Sequence, residues 1–312
     1  MKIKILSTVL FFSLLFAGCK NELEKALVFD VSVEPGTNIL MGDTSITAPK
    51  GTKIQFNFAG EPDFISFSYN RFNTTKSVLT FSTQAAWGSH FLNTLNVFLF
   101  ETSDTLLLNN PKLDSTTIVN RQWTDITSKC NLPTIANTTN KASISLNDYR
   151  GKKAIIAFRY KTDLATDWQP TWTISNLQVN DTVISTGAKT TTNLAATMGF
   201  CPFDLMNMSN PYVSADAAGV WNVTNTAAMV MKRSTTGSAL NTDWLIMKPL
   251  AIAKGVNTLS AALPVKNTTI LVDSYSHLFS EVGEYTVTFT ASNWNYLHQE
   301  TIERKVKIII TD

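Results

Sequence analysis

Three segments set the terms for any fold of this chain. In "KIQFNF" (53–58), "ISFSY" (65–69) and "YTVTFTA" (285–291), apolar residues occupy every second position: Ile54, Phe56 and Phe58, then Ile65, Phe67 and Tyr69, then Tyr285, Val287, Phe289 and Ala291. Successive side chains of a strand point to opposite faces, so this alternation predicts sheets with one buried face. Val306, Ile308 and Ile310 repeat the pattern near the C-terminus. Two further runs, "LNVFLFET" (95–102) and "AIIAFRY" (154–160), are apolar on both parities and read as interior strands covered on both faces.

Clusters such as "NTTNK" and "STTGS" separate these runs in the manner of turns. After the N-terminal segment no stretch of 3.6-residue periodicity stands out. The expected fold class is therefore all-β, built of sandwiches. With 312 residues and 44% hydrophobic composition, the chain is long enough for two domains, each with its own core.

The N-terminus reads differently. Lys2 and Lys4 precede an apolar run from Ile5 to Phe16 and the small pair Ala17 and Gly18, which is the layout of a secretory signal. That run is shorter than the roughly 20 residues a membrane helix needs. Its end, "LLFAGC", resembles the bacterial lipoprotein box, with Phe16 where leucine is usual. The resemblance implies cleavage after residue 18 and lipidation of Cys19. Several acyl chains, at about 0.8 kcal/mol per buried methylene, would make a stable anchor.

The next residues, "CKNELEK", resemble the export signal of Bacteroidetes-type surface lipoproteins, in which Lys20 is followed by the acids Glu22 and Glu24. This implies an outer-membrane protein facing the extracellular side. Loss of residues 1–18 removes two lysines and no acids, leaving 24 basic and 24 acidic side chains. Such a neutral chain lacks the basic excess expected of a nucleic-acid binder.

"YSHLFSEVGEYTVTFTASN" (275–293) resembles the closing half of an immunoglobulin-like domain of the polycystic-kidney-disease (PKD) type, with Gly283 turning into the last strand but one. Opening strands for such a domain occur near the N-terminus, in "VFDVSVEPG" and "GTKIQFNFAGEPDFISFSY". The expected layout is a tether at 19–27, an immunoglobulin-like domain split between 28–72 and 256–312, and an insert at 73–255. Insertion of this kind is tolerated where the ends of a host loop lie close together.

Within the insert, "QWTDIT" (122–127), "ISLNDYRGKKAIIAFRYKTD" (144–163) and "TWTISNLQV" (171–179) resemble the jelly roll of cleaved-adhesin or choice-of-anchor modules. The strand "TDWLIMKPLAI" (242–252) follows these motifs here instead of preceding them, so the insert looks circularly permuted. The whole is similar to an uncharacterised family of Bacteroidetes surface lipoproteins associated with starch-utilisation-type glycan import. That likeness implies a polysaccharide or glycan ligand and SusC/SusD-like import proteins as partners.

No catalytic constellation emerges. His90, His277 and His298 are the three histidines, and none has zinc-ligand spacing with another or with a cysteine. Nucleophile-elbow, phosphate-loop and dinucleotide patterns are missing. Asp104, Asp114, Asp148, Asp163, Asp167 and Asp243 fall at apparent strand ends or loops, where they cap turns. They single out no glycosidase pair. No cofactor is expected beyond a structural calcium ion of the kind jelly rolls carry, to which no residues are assigned. Cys130 and Cys201 either pair or pack as small hydrophobes.

Seven tryptophans remain. Trp123, Trp172 and Trp244 lie inside the sandwich motifs and read as core. Trp87, Trp168, Trp221 and Trp294 lie in loop-like stretches, where an aromatic ring has less to pack against and can serve as a platform for a sugar. Trp294 with Tyr296 in "NWNYLH" is the first choice of glycan-binding pair, followed by Trp168 and Trp221 and then Trp87. The expected function is a non-catalytic, glycan-binding surface lipoprotein. The alternative is an adhesion or structural protein that binds a protein partner.

Overall fold

The computed structural model describes residues 26–88, 91–162, 169–233, 240–294 and 299–312. Its strands are, in chain order, β1 Phe29–Val33, β2 Leu40–Met41, β3 Ile46–Pro49, β4 Thr52–Gly60, β5 Phe64–Ala86, β6 Leu95–Glu101, β7 Thr124–Asp125, β8 Thr138–Ser145, β9 Lys153–Thr162, β10 Thr171–Val183 and β11 Lys189–Leu194. There follow β12 Cys201–Asp204, β13 Trp221–Asn222, β14 Ala228–Met231, β15 Asn241–Ile246, β16 Leu250–Ala251, β17 Gly255–Leu259, β18 Leu263–Lys266, β19 Ser274–Phe279, β20 Gly283–Trp294 and β21 Gln299–Thr311. Helices α1 (Pro111–Asn120) and α2 (Ala195–Met198) complete an all-β sandwich fold. Among the described residues no helix is long and apolar enough to cross a membrane.

The chain divides into two units, one made of Met1–Phe72 with Asn257–Asp312 and one of Asn73–Val256. In the first unit, β1, β4 and β19 form one sheet. The second sheet is a run of β20, β21, β3 and β2, with the first part of β5 paired to β20 from Phe64 to Phe72. The alternating residues face one another between these sheets. Ile54 and Phe56 of β4, Phe67 of β5, Val287 and Phe289 of β20, and Ile308 and Ile310 of β21 are all buried. The Phe56 and Phe289 rings lie 5.0 Å apart, although more than two hundred residues separate them in sequence.

Glycine is required at two points of this unit. Gly60, at φ +102°, pairs with Phe29, and a Cβ there would lie 2.0 Å from the Val28 carbonyl oxygen. Gly283, at φ +151°, opens β20, and its Cβ would meet the Phe72 carbonyl oxygen at 3.2 Å. Only a residue without a side chain fits both the dihedral and the space.

In the second unit, the later part of β5 pairs with β8 and β10, and β10 pairs in turn with β11 and β14. The facing sheet runs β12-β15-β9-β6-β7. Phe81 and Phe158 meet edge to face at 5.4 Å between the two sheets. Trp172 belongs to the same core and is buried, its Nε1 donating to Thr94 Oγ1 at 3.0 Å. Strands β6 and β9 are buried on both parities, from Leu95 to Leu99 and from Ala154 to Phe158. Val97, Leu99 and Phe158 belong to the sandwich interior. Phe98 and Phe100 project from the opposite face and meet Trp123, which follows α1.

Helix α1 is a departure from the sequence expectation. Its start carries ordinary signals: the Asn110 side chain accepts from Leu113 N at 3.2 Å, and Pro111 opens the first turn. The rest shows no apolar stripe because only Asp114 and Ile118, one turn apart, are buried. Asp114 is no surface turn cap. It is fully buried and accepts from Leu108 N, Asn110 N and the Tyr212 hydroxyl, the last at 2.5 Å.

Candidate functional site

Of the tryptophans expected to meet a ligand, Trp294 is placed best. It is 59% exposed and ends β20, within the strand and not in a loop beyond it, paired with Gln299 of β21. Its ring meets Phe64 edge to face at 5.6 Å. A groove of about 380 Å³ opens beside it, lined also by Ser66, Pro264, Lys266, Ser292 and Gln299. The flat indole, the hydroxyls and the amide supply an apolar face and hydrogen-bonding groups together, which is what a polyhydroxylated ring requires. Tyr296, the proposed companion of Trp294, lies outside the described residues, as does Trp168.

Trp87 is 65% exposed at φ +62°, with the Arg233 guanidinium 5.7 Å from its ring centroid. That contact occupies part of the ring with a cation–π interaction. Trp221 does not serve as a platform. It is 1% exposed, sits in the short strand β13 opposite Met231, and points its Nε1 at the Asp243 carbonyl oxygen at 3.4 Å. The neighbouring strand and the more distant Asp243 carbonyl hold the ring in the core. Cys19, Lys20, Glu22 and Glu24 lie outside the described residues.

A second concavity uses two tryptophans that the sequence places in the core. Trp172 and Trp244 are buried as expected, but Trp123 is half-buried. The outer face of the β6–β9–β15 sheet carries it. Register aligns Asn96 of β6, Arg159 of β9 and Trp244 of β15 in one row. Arg159 donates from Nη2 to Asn96 Oδ1 at 2.9 Å and lies 5.0 Å from the Phe98 ring and 5.6 Å from the Trp244 ring. Trp123 donates from Nε1 to the Ile118 carbonyl oxygen at 3.0 Å and stacks on Trp244 at 5.2 Å. Arg121 covers Phe100 at 4.8 Å. The resulting cleft encloses about 540 Å³, a size usual for small-molecule sites.

Ionisable groups elsewhere have structural surroundings. Asp243 lies inside β15, not at a loop, and is 2% exposed. Burial first, then the charge of Asp204 opposite it and a hydrogen bond to that carboxylate, push Asp243 up to about 8. Cys130 and Cys201 are free thiols. Burial, helped by Asp125, pushes the Cys130 thiol up to about 12, and its Sγ donates to the Ile126 carbonyl oxygen. His277 lies among Phe67, Tyr69 and Phe279 in the first unit, where burial depresses its pKa. His90 and His298 lie outside the described residues. Among the described residues no group of three or more His, Cys, Asp or Glu side chains stands where it would hold a metal ion, so the calcium expectation gains no residues.

No curated protein and no solved structure matches the chain. One family model does match it, over residues 18–200. The matched region takes in Cys19 to Glu24, Phe98, Trp123 and Arg159, and ends before Trp244 and Trp294. Since the match covers more than half of the 312 residues, the chain belongs to the DUF5017 family, described as a domain of unknown function.

Proposed function

We propose that this chain is a non-catalytic surface lipoprotein that binds a polysaccharide or glycan on behalf of a starch-utilisation-type import system. Cys19 would carry the lipid, and Lys20, Glu22 and Glu24 would direct the protein to the outer face of the outer membrane. The observation that carries the binding reading is Trp294, a large indole left 59% exposed beside a largely apolar groove that also carries hydroxyl and amide groups. An aromatic contact contributes about 0.5–1.5 kcal/mol beyond burial. A site resting on one such ring gives affinities nearer millimolar than nanomolar. Many anchored copies meeting a repeating polymer would compensate through avidity.

Screening the soluble mature chain, residues 20–312, on a glycan array tests the ligand class. Binding to a defined set of glycans is expected. Binding to none, with capture of a surface protein instead, would support the adhesion reading in its place. The anchor is tested separately by Cys19→Ala, which should move the protein from detergent-phase to aqueous fractions.

A further inference from the structure

The groove at Trp294 carries a charge that stacking on an indole does not need. Its floor spans three paired strands of the first unit, β20, β5 and β18. Thr290, Ser292 and Trp294 alternate along β20 and so share one face. Register sets Ser292 beside Phe64 and Thr290 beside Ser66, and Ser66 pairs in turn with Pro264 of β18. The ladder then shifts between Pro264 and Lys266, which pairs with Ile65. Such an irregularity re-aims a side chain. Val265 packs against the core, while Pro264 and Lys266 both line the groove. Two strand spacings, about 10 Å in all, separate β20 from β18, so Lys266 stands across the groove from the indole.

Lys266 differs from several other lysines of the chain in having no counter-charge. Lys152 pairs with Glu101, Lys232 with Asp216, Lys305 with Glu303 and Lys307 with Glu284, each at 3.2 Å or less. Lys266 is half-buried, yet among the described residues no side-chain hydrogen bond or ion pair holds it, and the described lining of the groove contains no acid. An ammonium drawn partly out of water without a partner is unfavourable. A ligand anion would supply that partner.

From this arrangement we infer that the groove is selective for an acidic saccharide. One sugar unit lies against the Trp294 indole, Lys266 receives a carboxylate or sulfate of the same polymer, and Ser66, Thr290 and Ser292 between them meet ring hydroxyls. The inference rests on the glycan-binding reading and adds a charge class to it. Both anion sources share one chemistry, a negatively charged oxygen group on a sugar ring, and the test separates them.

The measurement is biolayer interferometry of residues 20–312 on immobilised polygalacturonate, alginate, dextran sulfate, unmodified dextran and inorganic polyphosphate, with Lys266→Gln, Lys266→Arg and Trp294→Ala run beside the wild type. Binding to the uronate polymers or to dextran sulfate is expected, falling with added salt. Lys266→Gln should weaken it about tenfold at unchanged melting temperature. Lys266→Arg should restore it, and Trp294→Ala should weaken it as well. Which polymers are bound identifies carboxylate or sulfate as the anion. Equal binding by wild type and Lys266→Gln would overturn the charge class. Equally strong binding to polyphosphate, dependent on Lys266 and not on Trp294, would reduce the site to ion exchange and overturn the saccharide part. Binding to neutral glycans through Trp294, with none to the acidic polymers, would reject the role of Lys266 and leave the general glycan reading standing. Failure with every saccharide would reject both.

Discussion

The indole rings of Trp123 and Trp244 stack with centroids 5.2 Å apart and planes 28° apart, on the outer face of a sheet whose inner face builds the core. Trp244 Nε1 is buried with no hydrogen-bond partner among the described residues, whereas Trp172 Nε1 donates to Thr94 Oγ1. Replacing each tryptophan by phenylalanine should therefore separate them. Trp172→Phe loses a bond and strands a buried hydroxyl acceptor. Trp244→Phe removes a donor that satisfied nothing. Trp172→Phe should cost about 1 kcal/mol more than Trp244→Phe in urea unfolding. Equal costs would mean that the two indole nitrogens do not differ as described.

Gly60 and Gly51 offer a controlled comparison in the other unit. Both have positive φ, but a Cβ at Gly51 meets nothing within 4 Å, while one at Gly60 lies 2.0 Å from a backbone oxygen. Gly51→Ala should cost about 1–2 kcal/mol for the dihedral alone. Gly60→Ala should exceed it by at least about 1 kcal/mol, because β1 has to move away from β4. Thermal unfolding of the two variants, measured side by side, checks the order.

Asp243 makes stability depend on pH in a direction that runs against the usual carboxylate pattern. Its pKa stands at about 8 in the folded chain and near 3.8 when unfolded. Between those values the unfolded state has released a proton that the folded state still holds. Stability from this group is thus complete below the lower value and is lost as pH rises toward the upper one, by at most about 1.4 kcal/mol per pH unit. Asp243→Asn mimics the protonated acid. It should leave stability near pH 3 little changed, raise it progressively from pH 5 to pH 8, and flatten the profile between. An unaltered slope in the variant would show that Asp243 is not the titrating group.

Particular residues show what the sequence could and could not convey. Ile54, Phe56, Val287 and Phe289 announced their buried face because strand geometry alone fixes a period of two. The double-sided burial of Phe98 and Ile155 was equally legible, since both parities are apolar. What covers Phe98 was not. Trp123 reaches it from a segment positioned by α1, and that helix buries a carboxylate and one isoleucine instead of an apolar stripe. Trp221 misled for a related reason. Its local stretch, "AGVWNVT", looks like a loop, yet Met231 of the next strand and the Asp243 carbonyl, 22 residues away, take its ring inside. Trp294 could be singled out because its strand was recognisable on one side. The cleft at Trp123 depends on register across three strands, and no local pattern encodes that.

The proposed function turns on a soluble glycan being held through the ring of Trp294. Affinity electrophoresis of residues 20–312 in the glycans an array identifies, comparing wild type with Trp294→Ala, tests it most directly. Trp294 is mostly exposed, so its loss should leave stability within about 0.5 kcal/mol of wild type. Retardation of the wild type by the glycan is expected, weakened in Trp294→Ala at that unchanged stability. Full retardation of Trp294→Ala, or a loss of binding that follows only from a loss of folding, would contradict it.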